Sequence, residues 1–396
     1  NAKMSIFTLN RTFCYLAHSY TYCDTNEALA PNQLEIRYRI GLPESFASVM
    51  SIIIGVCTGG VSFVSGTLIR KFGTARVTLA SIFVTAFGLV GISLSPNIVL
   101  MIIFSIILGY GAGAIDTGLN NFVSLHYKAH HMNWLHCFWG VGVTTSPLIM
   151  SLFLNGESGS WRNGYRILAV IQFAIAILVA LSLKKWNNIE KKSKNENVEE
   201  QDEKLSLKDI LKLKGALTSI LSQGLYCSME FLIGTWGASF LVNIQKFSPD
   251  VAARWISLYF CGIMLGRLIS GFISIKASDN TLIRGGIATA FLGMILLALS
   301  VGSISVAGLF LIGVGFGPIF PSILHSVPMR FGEKYSADLT GFHMGGAYAI
   351  GFLVQLIFGF TASATTFKIT PFVLVGFSVL LFIMNEMTIK KTSERW

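Results

Sequence analysis

Long apolar runs alternate with short polar gaps from residue 45 to the C-terminus. The runs at 45–69, 77–95, 98–121, 135–154 and 166–183 are each long enough to cross a bilayer as a helix at 1.5 Å per residue. A polar stretch follows. Six more runs come after it, at 215–244, 255–275, 285–302, 303–326, 341–361 and 370–388. Short alternating segments, the mark of a membrane barrel, are not the pattern here. Backbone polar groups inside lipid must be satisfied within the segment, so these runs predict an all-α polytopic membrane protein.

Residues 1–40 break the pattern. They hold apolar pieces but also Arg11, Asp24, Glu27, Glu35, Arg37 and Arg39, so a first helix there is expected to be degenerate. The segment 184–214 is rich in Lys, Glu and Asn and reads as a solvated linker. Its end, LSLKDILKLK, predicts a short amphipathic helix lying on the membrane surface.

The two halves repeat. At an offset of 204 or 205, Ser65-Gly66 falls on Ser270-Gly271 and Thr85-Ala86-Phe87 on Thr289-Ala290-Phe291. Gly109, Gly111 and Gly113 fall on Gly313, Gly315 and Gly317, and Gly140 on Gly345. A constant offset across several helices implies an N-terminal six-helix half (1–183), a linker (184–214) and a C-terminal six-helix half (215–396).

Composition agrees. Hydrophobic residues make up 53% of the 396 and charged residues only 13%, against about 25% in soluble proteins. The formal net charge of +10 does not point to nucleic acid, because Lys and Arg sit in the gaps between runs. Placing the 70–76 loop and the linker on one side collects most of them there, with Lys276, Arg284, Arg330, Lys390 and Lys391. The positive-inside rule makes that side cytoplasmic, with both termini inside and the chain in the cytoplasmic membrane.

Polar residues inside the runs are the candidate chemistry. In IVLMIIFSIILGYGAGAIDTGLNN (98–121), Gly109, Gly113, Asp116 and Asn120 share one helical stripe, with Asn121 beside it. The glycines let a neighbouring helix approach. A carboxylate in lipid costs roughly 3 kcal/mol or more, so Asp116 must face protein or water. Helix 215–244 carries Gln223, Tyr226, Glu230 and Gly234 on one face, and Trp236 nearby. Glu230 is either a structural acid bonded to a neighbouring helix or part of a polar binding site. Arg267 either pairs with an acid, anchors an anionic group or snorkels toward the polar side. His136 and Trp139 flank a glycine-rich stretch, where His136 is equally a core residue or a site residue and Trp139 equally packing. Aromatic faces suit the C–H face of a sugar, and His, Asn and Gln suit its hydroxyls.

His126, His130 and His131 lie together, but no Cys or carboxylate joins them, so no metal is expected. GYGAGA and GVGFGP lack the strand–turn–helix context of a dinucleotide site, no nucleophile motif stands out, and no cofactor is expected. Pro318, Pro321 and Pro328 predict a kink in and just beyond helix 303–326.

Four stretches carry a family resemblance: SGTLIRKFGTARV (65–77), GYGAGAIDTGLNN (109–121), MNWLHCFWGVGVTTSPLI (132–149) and GVGFGPIFPS (313–322). The chain resembles the major facilitator superfamily, and within it the fucose permease-like sugar:proton symporters. The resemblance implies two six-helix bundles, twelve helices in all, working by alternating access, and a transporter rather than an enzyme. It implies a sugar as substrate and a proton as coupling ion, with sodium the rival, and a monomer in the bilayer. It assigns proton coupling to Asp116 and Glu230, with Asp24 as a possible match to a first-helix acid before a proline. It assigns gating to Gly66, Arg70, Lys71, Gly73, Arg76 and Arg267. Arg70 stands where the superfamily signature usually has Asp, and the irregular first helix departs from the pattern too. A drug or metabolite antiporter of the same superfamily, or an inactive truncated transporter, are the alternative readings.

Overall fold

The structure is a computed structural model and describes residues 45–154, 161–196, 205–299 and 302–393. The first-helix region, 1–40, and Asp24 lie outside the described residues, as do 197–204 of the linker. Among the described residues, fourteen α-helices follow in order. They are α1 (Ser45–Phe72), α2 (Thr74–Leu94), α3 (Ile98–His126), α4 (Ala129–Leu154), α5 (Trp161–Glu196), α6 (Leu207–Lys212) and α7 (Ala216–Asn243). Then come α8 (Pro249–Ile273), α9 (Asp279–Ala298), α10 (Gly302–Phe316), α11 (Ile319–His325), α12 (Val327–Phe331), α13 (Ser336–Ala364) and α14 (Thr370–Ser393). Among the described residues there is no strand, and ten helical segments are long and apolar enough to cross a membrane. Their outer faces carry Leu181, Phe360 and Phe372 exposed at 77%, 77% and 70%, as a lipid solvent allows. The chain is a multi-pass membrane protein.

Helix ends depart from the apolar runs for local reasons. α9 begins at Asp279, ahead of the run at 285, because the Ser278 hydroxyl accepts from the Thr281 amide and caps it. Hydropathy ends the fifth run at 183, yet α5 continues to Glu196, since polar residues outside lipid keep helical geometry. The prolines act as expected. α10 stops at Phe316, Pro318 caps α11, and Pro328 stands in the first turn of α12. Between α1 and α2, Gly73 has φ 80°, a conformation side chains rarely adopt, and its amide donates to the Ile69 carbonyl at 2.7 Å.

The chain divides into two compact units, Asn1–Phe122 with Phe138–Asp202, and Val123–Cys137 with Glu203–Trp396. In the first, Met50, Ile54, Leu89, Ile92, Met101, Leu108, Tyr165 and Leu168 form a core shared by α1, α2, α3 and α5. The Thr85 hydroxyl donates to Gln172 Oε1 at 2.7 Å between α2 and α5. In the second unit, α7 packs against α13 and α14, and α10 against α8 and α9.

Both units use the same glycine contacts. A Cβ on Gly109 would meet the Ile54 carbonyl of α1, and one on Gly313 the Tyr259 carbonyl of α8. Gly111 lies against Ser81 and Thr85, and Gly315 against Gly286 and Ala290. Gly88 meets Leu108, and Gly293 meets Ile312. Each pair of contacts is separated by the 204–205 offset read from sequence. At one further contact the sizes are exchanged. Gly91 faces the Phe104 ring in the first unit, whereas Leu296 faces Gly308 in the second. Association of helices in lipid rests on such close packing, because lipid is as apolar as the side chains.

The LSLKDILKLK segment corrects an expectation. Its helix α6 forms as expected, and Ser206 and Asp209 cap it in a capping box. Its apolar side packs on protein through Ile210, however. Ile210 is buried against Ala216, Ile220, Val327, Phe331 and Leu339, and the Leu205 amide donates to Asp338 Oδ2 at 2.7 Å. One buried carboxylate and one apolar socket in the protein hold the strap in place of headgroups.

Candidate functional site

Two groups of polar side chains lie inside spanning helices, one in each unit. In the first, α3 turns Asp116 and Asn120 to the same side, and both are buried. Asn120 Nδ2 donates to the Asp116 carboxylate at 2.9 Å and to its backbone carbonyl at 3.0 Å. Thr117 and Asn121 are buried beside them, and the Thr117 hydroxyl has no protein hydrogen-bond partner. The turn before Asp116 is bare: Gly113 seats on the Thr58 carbonyl of α1, and the Thr58 hydroxyl donates to the Gly109 carbonyl at 3.2 Å. The glycines therefore hold the acid's helix against α1.

The second group is denser. Gln223, Tyr226 and Glu230 stand on successive turns of α7, and all three are buried. Arg267 of α8 reaches Glu230, with Nη2 3.6 Å from Oε1. Its Nη1 donates to the His136 carbonyl at 3.3 Å. Arg267 is 3% exposed, so it does not snorkel; it pairs with the acid. Spacing along α8 alone could not choose between those readings. The Tyr226 hydroxyl, one turn before Glu230, is buried with no protein hydrogen-bond partner. Tyr259 of α8, which sequence reasoning missed, donates from its hydroxyl to the Glu230 carbonyl at 3.5 Å. Phe316 and Phe320 close one side, their rings 5.3 and 5.9 Å from that of Tyr226. Phe320 also meets the His136 ring edge-on at 4.9 Å. A Tyr and two Phe in apolar helices carry no sequence signal apart from core.

Gln223 is fully buried, and neither its amide oxygen nor its amide nitrogen has a protein partner. A buried primary amide left in that state costs free energy that a bound hydroxyl-rich molecule would return. Charge in this group is balanced by one guanidinium against one carboxylate, which limits the desolvation cost of either alone.

Trp236 belongs to a different neighbourhood. Its ring lies 6.4 Å from Phe358 and 6.0 Å from Phe367, and it covers Gly359. Trp139 is half-buried in the first unit. At the α1–α2 turn, Gly66 is buried, Arg70 Nη2 donates to Thr67 at 3.2 Å, Lys71 lies over the Phe72 ring at 5.3 Å, and Arg76 is exposed. No cluster of three or more His, Cys, Asp or Glu fit to hold a metal occurs among the described residues.

The profile of the Major Facilitator Superfamily matches residues 17–356. The chain belongs to that superfamily. It is 23% identical over 81% of its length, and 81% of the relative's, to the glucose/mannose transporter GlcP of Bacillus subtilis (strain 168). Its fold is similar to that of the transporter FucP in the outward conformation, with a TM-score of 0.78 and 14% identity, over 96% of this chain and 98% of that one. It is also similar to the proton:xylose symporter XylE, with a TM-score of 0.75 and 11% identity over 98% and 96%. The likeness to these structures is one of fold, and the all-α major facilitator architecture expected from sequence is the one observed.

Proposed function

We propose that this superfamily member is a secondary transporter, not an enzyme. It moves a sugar across the cytoplasmic membrane by alternating access, together with protons. The observation that carries the reading is the Gln223–Tyr226–Glu230–Arg267 group, a buried polar patch in spanning helices whose amide seeks partners. Intramembrane ionisable groups mark solute or ion pathways. A polyol supplies donors and acceptors to Gln223, and an apolar face to Phe316 and Phe320. The functions of similar proteins support it: GlcP is a glucose/mannose transporter, and XylE a proton:xylose symporter. The Lys/Arg-rich side, with α6 and the C-terminus, is the cytoplasmic one. The working unit is a monomer in the lipid bilayer.

The test is uptake of a panel of radiolabelled sugars by vesicles holding the purified chain, with and without an inward proton gradient. Gradient-driven accumulation of one sugar is the expected result. Accumulation of none, with proton-driven loss of an apolar dye instead, would replace it by an antiporter of drugs or metabolites.

A further inference from the structure

His325 ends α11 and is buried between two acceptors. Its Nδ1 lies 2.7 Å from Asp279 Oδ2, and its Nε2 lies 3.2 Å from the backbone carbonyl oxygen of Tyr127. A neutral imidazole has one N–H and one lone pair, so it can serve only one of these acceptors. The arrangement is complete only when the His325–Asp279 pair holds one proton more than a neutral imidazole beside a carboxylate. Whether that proton sits on the ring or on the carboxyl, the count is the same.

The surroundings favour charge in this placement. Asp279 is the first residue of α9, at the positive end of that helix. Tyr127 directly follows the last residue of α3, where carbonyls run out of intrahelical donors and the dipole is negative. An imidazolium between an N-terminal acid and a C-terminal carbonyl satisfies both helix ends.

We propose that His325 is a proton-operated latch, which holds the turn between α3 and α4 onto α9 and α11 when protonated and releases it when the proton leaves. The turn belongs to the segment 123–137, which clusters with the second unit. The same segment also meets that unit through the Trp134 indole, which covers Gly271 and meets Phe272 at 5.5 Å, and through the His136 carbonyl, which accepts from Arg267. From this turn the chain continues into α3 and α4, so the latch governs a segment that two spanning helices share. Losing the proton takes the donor from Nδ1 or Nε2 and sets a lone pair against an oxygen.

Other ionisable groups surround the contact. Arg330 of α12 donates to Asn280 at 2.7 Å and attracts Asp279. Arg284 and Glu386 form a two-bond pair on α9 and α14. Lys128 stands on the turn itself and His126, His130 and His131 on the helix ends beside it, the last with its ring 5.5 Å from that of Tyr127. Among these, His126, His130 and His131 are the other imidazoles near the contact.

Hydrogen exchange read by mass spectrometry on the full chain in lipid nanodiscs, from pH 5.5 to 8.5, tests this. After correction for the intrinsic pH dependence of exchange, the Tyr127 and His131 amides are expected to lose roughly tenfold or more in protection as pH rises. His325→Gln, which cannot titrate, flattens that change. Asp279→Asn moves it toward acid, because the carboxylate that steadies the extra proton is gone. His131→Gln leaves it in place. Corrected protection that does not vary with pH in the wild-type chain overturns the latch. So does a His325→Gln chain that keeps the wild-type profile, or a His131→Gln chain that loses it.

Discussion

Arg267 approaches Glu230 to 3.6 Å from α8 while donating a hydrogen bond to the His136 carbonyl, and both charged side chains are buried. One guanidinium therefore ties α7, α8 and the start of α4 together. Removing one member of such a pair leaves the other charge buried without compensation, at a cost of about 3–5 kcal/mol. Glu230→Ala is expected to lower the melting temperature of the purified protein sharply. The double variant Glu230→Met/Arg267→Met should recover most of that loss, since two apolar chains of similar volume replace the pair. Equal losses in single and double variants would mean that packing, not charge, governs the site.

The two units make opposite choices at one contact, and that gives a second test. Gly91→Leu drives a side chain into the Phe104 ring, an overpacking expected to cost about 1–3 kcal/mol. The second unit solves the same contact with Leu296 against Gly308. Adding Phe104→Gly to Gly91→Leu should therefore recover part of the stability lost by the first change alone. Thermal melts of both single variants and the double give the coupling energy directly. Additive losses would show that the two contacts are not equivalent.

Much of the fold was legible because lipid leaves a helix as the only open-ended structure, so apolar length alone locates helices. Pro318, Pro321 and Pro328 announced a kink in and just beyond the 303–326 run, through missing amide donors, and the helix is interrupted there between α10 and α11. The start of α9 was not legible from hydropathy, since its cap, Ser278, lies outside the apolar run. Glu230 and Asp116 could be singled out because a carboxylate in an apolar run demands an explanation. What lay opposite Glu230 could not be read, for spacing tells which residues share a face and not which helix that face meets. Tyr259, Phe316 and Phe320 stayed hidden for the converse reason: nothing in their sequence context sets them apart from core.

The strap formed by α6 offers a further prediction. Ile210 is 1% exposed in its socket, whereas Leu211 is 56% exposed. Ile210→Ser is expected to undock the strap and speed protease cleavage within 205–213 in detergent. Leu211→Ser should leave the rate near wild type. The opposite order would indicate that the helix lies on a surface by way of Leu211. Acid should act in the same direction as Ile210→Ser. Hydrogen bonds from Ser206 hold Asp209 below its ordinary value of 3.8, so this contribution is intact above that pH and fades as pH falls through the lowered value.

Asp116 carries the last prediction, on coupling. It is buried in α3 and bonded by Asn120 Nδ2 at 2.9 Å, with Thr117 and Asn121 beside it. A proton neutralises a carboxylate outright and lets it pass through a desolvated intermediate without a buried charge. A solute and a proton can drive a cycle only if they bind the two states of the carrier unequally, and a group that is charged in one and neutral in the other provides that difference. Sodium would instead need several oxygens around the acid, to which Thr117, Asn120 and Asn121 can contribute. Asp116→Asn keeps the shape and removes the titration. The variant is expected to lose uphill accumulation in vesicles under a proton gradient while keeping counterflow exchange of labelled for unlabelled solute. Replacing sodium by potassium in the medium should leave wild-type accumulation unchanged. If Asp116→Asn still accumulates solute on a proton gradient alone, the driving proton rides elsewhere, with Glu230 the next group to examine. If wild-type accumulation needs sodium, the buried oxygens around Asp116 serve a metal cation instead.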